Sequence, residues 1–245
     1  WQGTSRPPLK FMVPITLLLW LVLELSGYAA LAHYWLQAPW PLACAAAGGA
    51  MLGLRIRGSD NISYWLADMM RNIDAGIRGF LVYDEGVLSI VNKMREQGFV
   101  PRDSVFKCSV FSGHASPAGA RVIADMGANT FNPCSDVSLP ILAAIRKAVK
   151  IPLDIYISIC DALGGEYRIM ECPEIARIAS PCYFKIEPAR SEMELYKPWT
   201  EEAVHASLVR EKVKMAEVIC EIMARHAPQL KMSAPRPSDL ALPVA

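Results

Sequence analysis

Five short apolar runs in this chain carry, or end in, residues that can move protons or hold charge. Gly79–Tyr83 runs into Asp84 and Glu85. Val105–Val110 carries Lys107 and leads to Ser112 and His114. Asn129–Asn132 ends in an amide and is followed by Ser135 and Asp136. Pro152–Ile157 carries Asp154 and leads to Asp161, and Cys182–Ile186 carries Lys185 and ends at Glu187. Carboxylates and imidazoles are general acids and bases, and a lysine in an apolar run is a Schiff-base amine, a phosphate ligand or an acid–base group. The predicted catalytic set is therefore Asp84, Glu85, Lys107, His114, Asp136 and Lys185. Asn132, Ser135, Asp154, Asp161 and Glu187 are predicted to bind substrate.

Each of these residues also has a plainer reading. A lysine inside an apolar strand is costly unless paired, so Lys107 and Lys185 also read as ion-pair partners of Asp84, Glu85 or Glu187. His114 is either a general base or a residue on the approach to a helix. His205 and His226 lie on the last helical segment and read as exposed. The sequence contains no GxSxG, HExxH, P-loop or GxGxxG motif.

The elements that position these residues follow from periodicity. Each apolar run precedes a helical pattern: Val87–Gln97, Pro117–Met126, Leu139–Val149, Pro173–Ala179 and Glu201–Arg225. Pro117, Pro140 and Pro173 suit first helical turns, and Gly76, Gly98 and Gly127 suit helix stops. Short β runs alternating with helices predict an α/β fold with a parallel sheet. Two architectures accommodate five βα units: the C-terminal five of an eight-stranded (β/α)8 TIM barrel, or a five-stranded doubly wound sheet. In both, ligands meet the C-terminal ends of the strands, where the polar residues fall.

The composition is uneven. The 245 residues include 25 Lys+Arg and 24 Asp+Glu, a formal net charge of +1, which offers no electrostatic basis for binding nucleic acid. Between Phe11 and Leu54 the one charged residue is Glu24. Phe11–Leu36 is long enough to span a bilayer, which takes about 20 apolar residues, and Pro41–Leu54 is a shorter second run. Arg6, Lys10, Arg55 and Arg57 flank the pair, which predicts cytoplasmic ends under the positive-inside rule. Residues 1–60 are thus expected to form an apolar hairpin contacting the inner membrane through residues 11–54. A buried soluble segment is the other reading. Residues 61–228 are the βα domain, expected to be cytoplasmic, and 229–245 a Pro-rich tail. The chain begins with Trp1, so its natural start is expected to lie upstream. Of the seven cysteines, Cys160, Cys172 and Cys182 are spaced by 12 and 10 residues and no CxxC pair occurs. That spacing does not support an iron–sulfur cluster or structural zinc, and no cofactor or metal ligand is assigned.

The phrases GIRGFLVYDEGVL, VFKCSVFSGHASPAGA, MGANTFNPCSDVSLPILAAIRKAVKIPLDIYI and CYFKIEP, within residues 76–199, together resemble the collagenase-like peptidases of family U thirty-two. The resemblance implies a TIM barrel with its site at the strand C-termini. It carries over no catalytic residue. The family's iron–sulfur branches use a closely spaced cysteine pair that is missing here, so their chemistry does not carry over. The reading that follows is an enzyme acting on a small polar or peptide-like substrate. A lysine-dependent lyase or aldolase, and a catalytically inactive membrane-tethered scaffold, stand as alternatives.

Overall fold

The structure, a computed structural model, describes residues 55–160, 165–187, 199–234, 237 and 240–242. The described elements belong to the second of two units, Ile56–Ala245. The apolar runs at residues 11–54 and Asp161 lie outside the described residues. Among the described residues, no helix is long and apolar enough to cross a membrane.

Helix α1 (Gly58–Asp74) precedes strand β1 (Gly79–Val82). Then come α2 (Glu85–Glu96), β2 (Val105–Cys108), α3 (Pro117–Asp125), β3 (Thr130–Phe131), α4 (Leu139–Ala148) and β4 (Leu153–Ser158). Helix α5 (Cys172–Ala179), β5 (Cys182–Ile186) and the long α6 (Glu202–His226) complete the series. All five predicted strands and the five helices that follow them are present, within a few residues of the boundaries the pattern gives. α1 adds a helix for which the pattern signalled only the stop at Gly76.

The strands form one sheet in the order β1-β2-β3-β4-β5, each neighbour pair parallel. Which face each residue takes follows from the two-residue period of a strand. Phe106, Cys108, Phe131, Leu153, Ile155 and Ile157 belong to one buried core with Val87 and Val91 of α2, Ile123 of α3, Ile145 of α4 and Ile175 of α5. Their helical partners recur at spacings of three and four, so each helix turns one apolar stripe to the sheet. The same strand face meets every helix. A doubly wound sheet reverses its strand order at a switch point and carries helices on both faces. The described strands show neither, so the doubly wound alternative is corrected to a singly wound parallel βα repeat.

Local caps set the helix starts. The Asp84 carboxylate accepts from Val87 N at 3.1 Å, and Ser116 Oγ accepts from Gly119 N at 3.1 Å. A bracket around Arg95 ties the first three units together. Its guanidinium donates to the Ser104 carbonyl (2.8 Å), Asn129 Oδ1 (2.7 Å), Asn92 Oδ1 (2.8 Å) and the Gly127 carbonyl (2.9 Å). It also stands 5.2 Å from the centre of the Phe106 ring. Gly127 has φ +93°, and a Cβ there would lie 2.2 Å from Asn92 Cγ, so only glycine fits beside the bracket.

Replacing Arg95 by Ala removes charged hydrogen bonds and strands two carbonyls. The expected loss is about 2–3 kcal/mol of unfolding free energy in urea titration. A loss within about 0.5 kcal/mol, the range of an ordinary surface site, would refute the bracket.

Candidate functional site

The face of the sheet turned away from the helices is where the polar strand residues collect. Lys107 on β2 pairs in register with Thr130 on β3; Asp154 on β4 pairs with Tyr183 on β5, and Tyr156 with Lys185. The two lysines belong to different strands, but the parallel register puts both on one face. Burying the alternate apolar residues against helices leaves these positions no other side to occupy.

Asp154 is the deepest of the group, with no exposed surface. Lys107 Nζ donates to its Oδ2 at 2.6 Å. Lys107 also stands 4.5 Å from the centre of the Tyr183 ring, whose hydroxyl lies 3.3 Å from Thr130 Oγ1. Burial pushes the Asp154 carboxyl up from its usual range, and the Lys107 and Lys185 ammoniums pull it only part of the way back. Burial pulls Lys107 down, but the Asp154 carboxylate and its hydrogen bond outweigh that and hold the lysine above its ordinary value. The net direction for Lys107 follows from a contact of 2.6 Å to an anion, and it leaves the amine protonated at neutral pH. An imine-forming lysine needs the opposite, so Lys107 is suited to binding charge rather than to Schiff-base chemistry. Burial raises the Tyr183 phenol as well, with Asp154 adding to the shift and Lys107 opposing it.

A second group adjoins the first. Lys185 Nζ donates to the Tyr156 hydroxyl at 2.6 Å, and that hydroxyl donates to Glu187 Oε1 at 3.1 Å. Lys185 lies 3.5 Å from the same Glu187 oxygen. Asp154 feels the charges of both Lys185 and Glu187. Asn132, also fully buried, donates to the Asp154 carbonyl at 2.8 Å. Three acceptors in this set have no hydrogen-bond partner among the described residues: Asp154 Oδ1, Asn132 Oδ1 and Glu187 Oε2.

Of the predicted site residues, Asn132, Lys107, Asp154, Lys185 and Glu187 come together here. The plainer reading of Lys107 holds in kind, but with a partner that the pattern had assigned to substrate. Glu85 and His114 form a separate pair, Nε2 to Oε1 at 3.0 Å, both partly exposed. Gly119 makes room for it, since a Cβ there would lie 2.6 Å from His114 Nδ1. Asp84 is engaged as the α2 cap and accepts from Ile56 N at 3.3 Å as well. Ser135 is held through its carbonyl by Arg168 at 3.1 Å, and Asp136 is exposed. Tyr156, Tyr183 and Thr130 escaped the sequence reading. The signal was present: Asp154 and Tyr156, like Tyr183 and Lys185, are two apart in one strand and so share a face.

Among the described residues, Cys108, Cys160 and Cys172 are buried thiols, Cys134 and Cys182 are half-buried and Cys220 is exposed. Burial pushes Cys172 up to about 12 and raises Cys182 and Cys134 too. Thiols so raised stay protonated at neutral pH, which makes them poor nucleophiles. Among the described residues, no three His, Cys, Asp or Glu side chains are grouped to hold a metal ion. No protein-family model matches the chain, and no curated protein matches it either.

Replacing Lys107 by Met leaves the Asp154 charge buried without its counter-ion, at an expected cost of about 3 kcal/mol near neutral pH. The carboxyl of folded Lys107→Met protein, already raised by burial, rises further without the ammonium. Its folded value then exceeds the unfolded one by more, so stability falls as pH rises between the two and recovers on acidification. Urea unfolding near pH 7 and near pH 4, close to the unfolded carboxyl value of about 3.9, should show the deficit shrinking in acid. In the wild type, the contribution of the raised Lys107 is complete below the unfolded lysine value and fades as pH climbs past the folded one. A deficit that is independent of pH would refute the pairing.

Proposed function

We propose that the polar face is the active site of an enzyme acting on a small polar or peptide-like substrate. We propose further that the five units are the C-terminal five of a (β/α)8 barrel whose interior this face lines. Sequential strand order and helices confined to one face support that winding. The resemblance to collagenase-like peptidases points the same way. The observation that carries the reading is the Tyr156 hydroxyl, held between the Lys185 ammonium and the Glu187 carboxylate. A hydroxyl so placed can give a proton to a substrate atom and recover one from Lys185, while Glu187 orients it. The Lys107–Asp154 pair supplies a fixed dipole beside it, already oriented before substrate arrives.

Tyr156→Phe removes the hydroxyl and keeps the ring under Lys185. With a panel of short peptides and their amides followed by mass spectrometry, the expected result is wild-type turnover and a fall in kcat of about 100-fold or more in the variant. Full activity in Tyr156→Phe overturns the role of the relay. Wild-type protein that turns over no member of the panel would favour the inactive-scaffold reading.

A further inference from the structure

The polar face holds buried acceptors that no donor among the described residues meets. Asp154 Oδ1, Asn132 Oδ1 and Glu187 Oε2 are all acceptors, and each belongs to a residue at least nine-tenths buried. A buried acceptor without a donor costs about 1–3 kcal/mol, so native structures rarely leave one bare. Here three occur in one neighbourhood. Asn132 bonds the Asp154 backbone, and Glu187 meets the hydroxyl of Tyr156, two residues from Asp154 on the same strand face. Two of the three are carboxylate oxygens, which favour a charged donor over a neutral hydroxyl.

The same face also presents donors. The side chains of Lys107 and Lys185 remain 26% and 24% exposed, so neither lysine is sealed off from solvent as Asp154 is. Lys107 and Lys185 balance Asp154 and Glu187, so the group carries no net charge. An isolated anion would meet the lysines at the expense of lying against two carboxylates. An isolated cation would meet the carboxylates and be repelled by two ammoniums. A polyol could donate to the acceptors but would leave the lysines with only neutral oxygens.

We propose that the face binds a zwitterion of the α-amino-acid type. Its ammonium supplies three N–H donors to Asp154 Oδ1, Asn132 Oδ1 and Glu187 Oε2, and its carboxylate lies against Lys185 and Lys107. This rests on the reading of the face as a substrate site and adds the class of ligand.

Titration calorimetry on the full chain tests it, with each common L-amino acid offered singly near neutral pH. The best-bound amino acid is then compared with its N-acetyl derivative, its carboxamide and sorbitol. The inference expects saturable binding of at least one amino acid and a loss of about tenfold or more, near 1.4 kcal/mol, for each blocked derivative. It expects a similar loss in Glu187→Gln, which keeps the shape of the side chain, and in Asp154→Asn. Binding of no amino acid, or equal binding of the blocked derivatives or of sorbitol, overturns it. So does wild-type affinity in a folded Glu187→Gln protein, which would put the binding elsewhere. The blocked-derivative series uses wild-type protein alone and holds even if Asp154→Asn fails to fold. If peptides are turned over in a Tyr156-dependent way while no amino acid binds, the ligand class fails and the active-site reading stands.

Discussion

A carboxylate with no exposed surface sits near the middle of the parallel sheet, and the geometry around it follows from the need to hold its charge. Asp154 belongs to a strand buried on both faces, where an unpaired ion would be driven to neutralise. Its counter-ion comes from two strands away. Lys107 reaches across β3, where the register places Thr130, a short side chain, beside it. β3 itself is only two residues long. A bulky residue at position 130 would stand in the path of the lysine. The ring of Tyr183 then closes the other side of the ammonium. Removing the ion from this arrangement costs more than the pair itself contributes, because what remains is a buried charge.

That arrangement is possible because the helices pack on one face alone. With every apolar stripe of α2 to α6 turned to the same side, the alternate strand positions are released from core duty. They can hold ions, phenols and amides that a two-sided core would exclude. The polar face is therefore a consequence of the winding. Sequential strands with one-sided helices yield one dry face and one chemical face. The Tyr156–Lys185–Glu187 group occupies the second face beside the ion pair, and the charges of Lys185 and Glu187 act on Asp154. A ligand that bridges the two groups would meet both charge signs at once.

Outside that face, charged side chains serve architecture. Arg95 joins the loops around the first three units, and Arg146 does the same at the far end. Its guanidinium donates to the carbonyls of Ile151, Ala179, Pro181 and Val149, pinning the end of α4 to the turn before β5. Neither arginine stood out in the sequence, since nothing about a lone arginine in a helix marks it as a carbonyl clamp. Asp84 did stand out, as a candidate acid, yet its place one residue before α2 makes it a cap. Asp, Ser and Asn suit both tasks, and sequence position alone does not separate them.

The alternation of apolar runs with helical periodicity was legible in the residues, because burying one face of each element demands it. The five strands, the helices after them and the polar residues at the strand ends could all be read this way. Strand order and the side on which helices pack could not be read, since the same five βα units are compatible with one-sided or two-sided winding. The partners of the charges were equally hidden. Lys107 and Asp154 lie 47 residues apart, and which carboxylate meets which lysine depends on register across β3, which no local pattern encodes. The sequence determined that charge would lie within apolar strands. Only the tertiary structure decided that Lys107, Lys185, Asp154 and Tyr156 share one face. A strand offers each side chain just two directions, and the packing of the helices settles which of the two is the core.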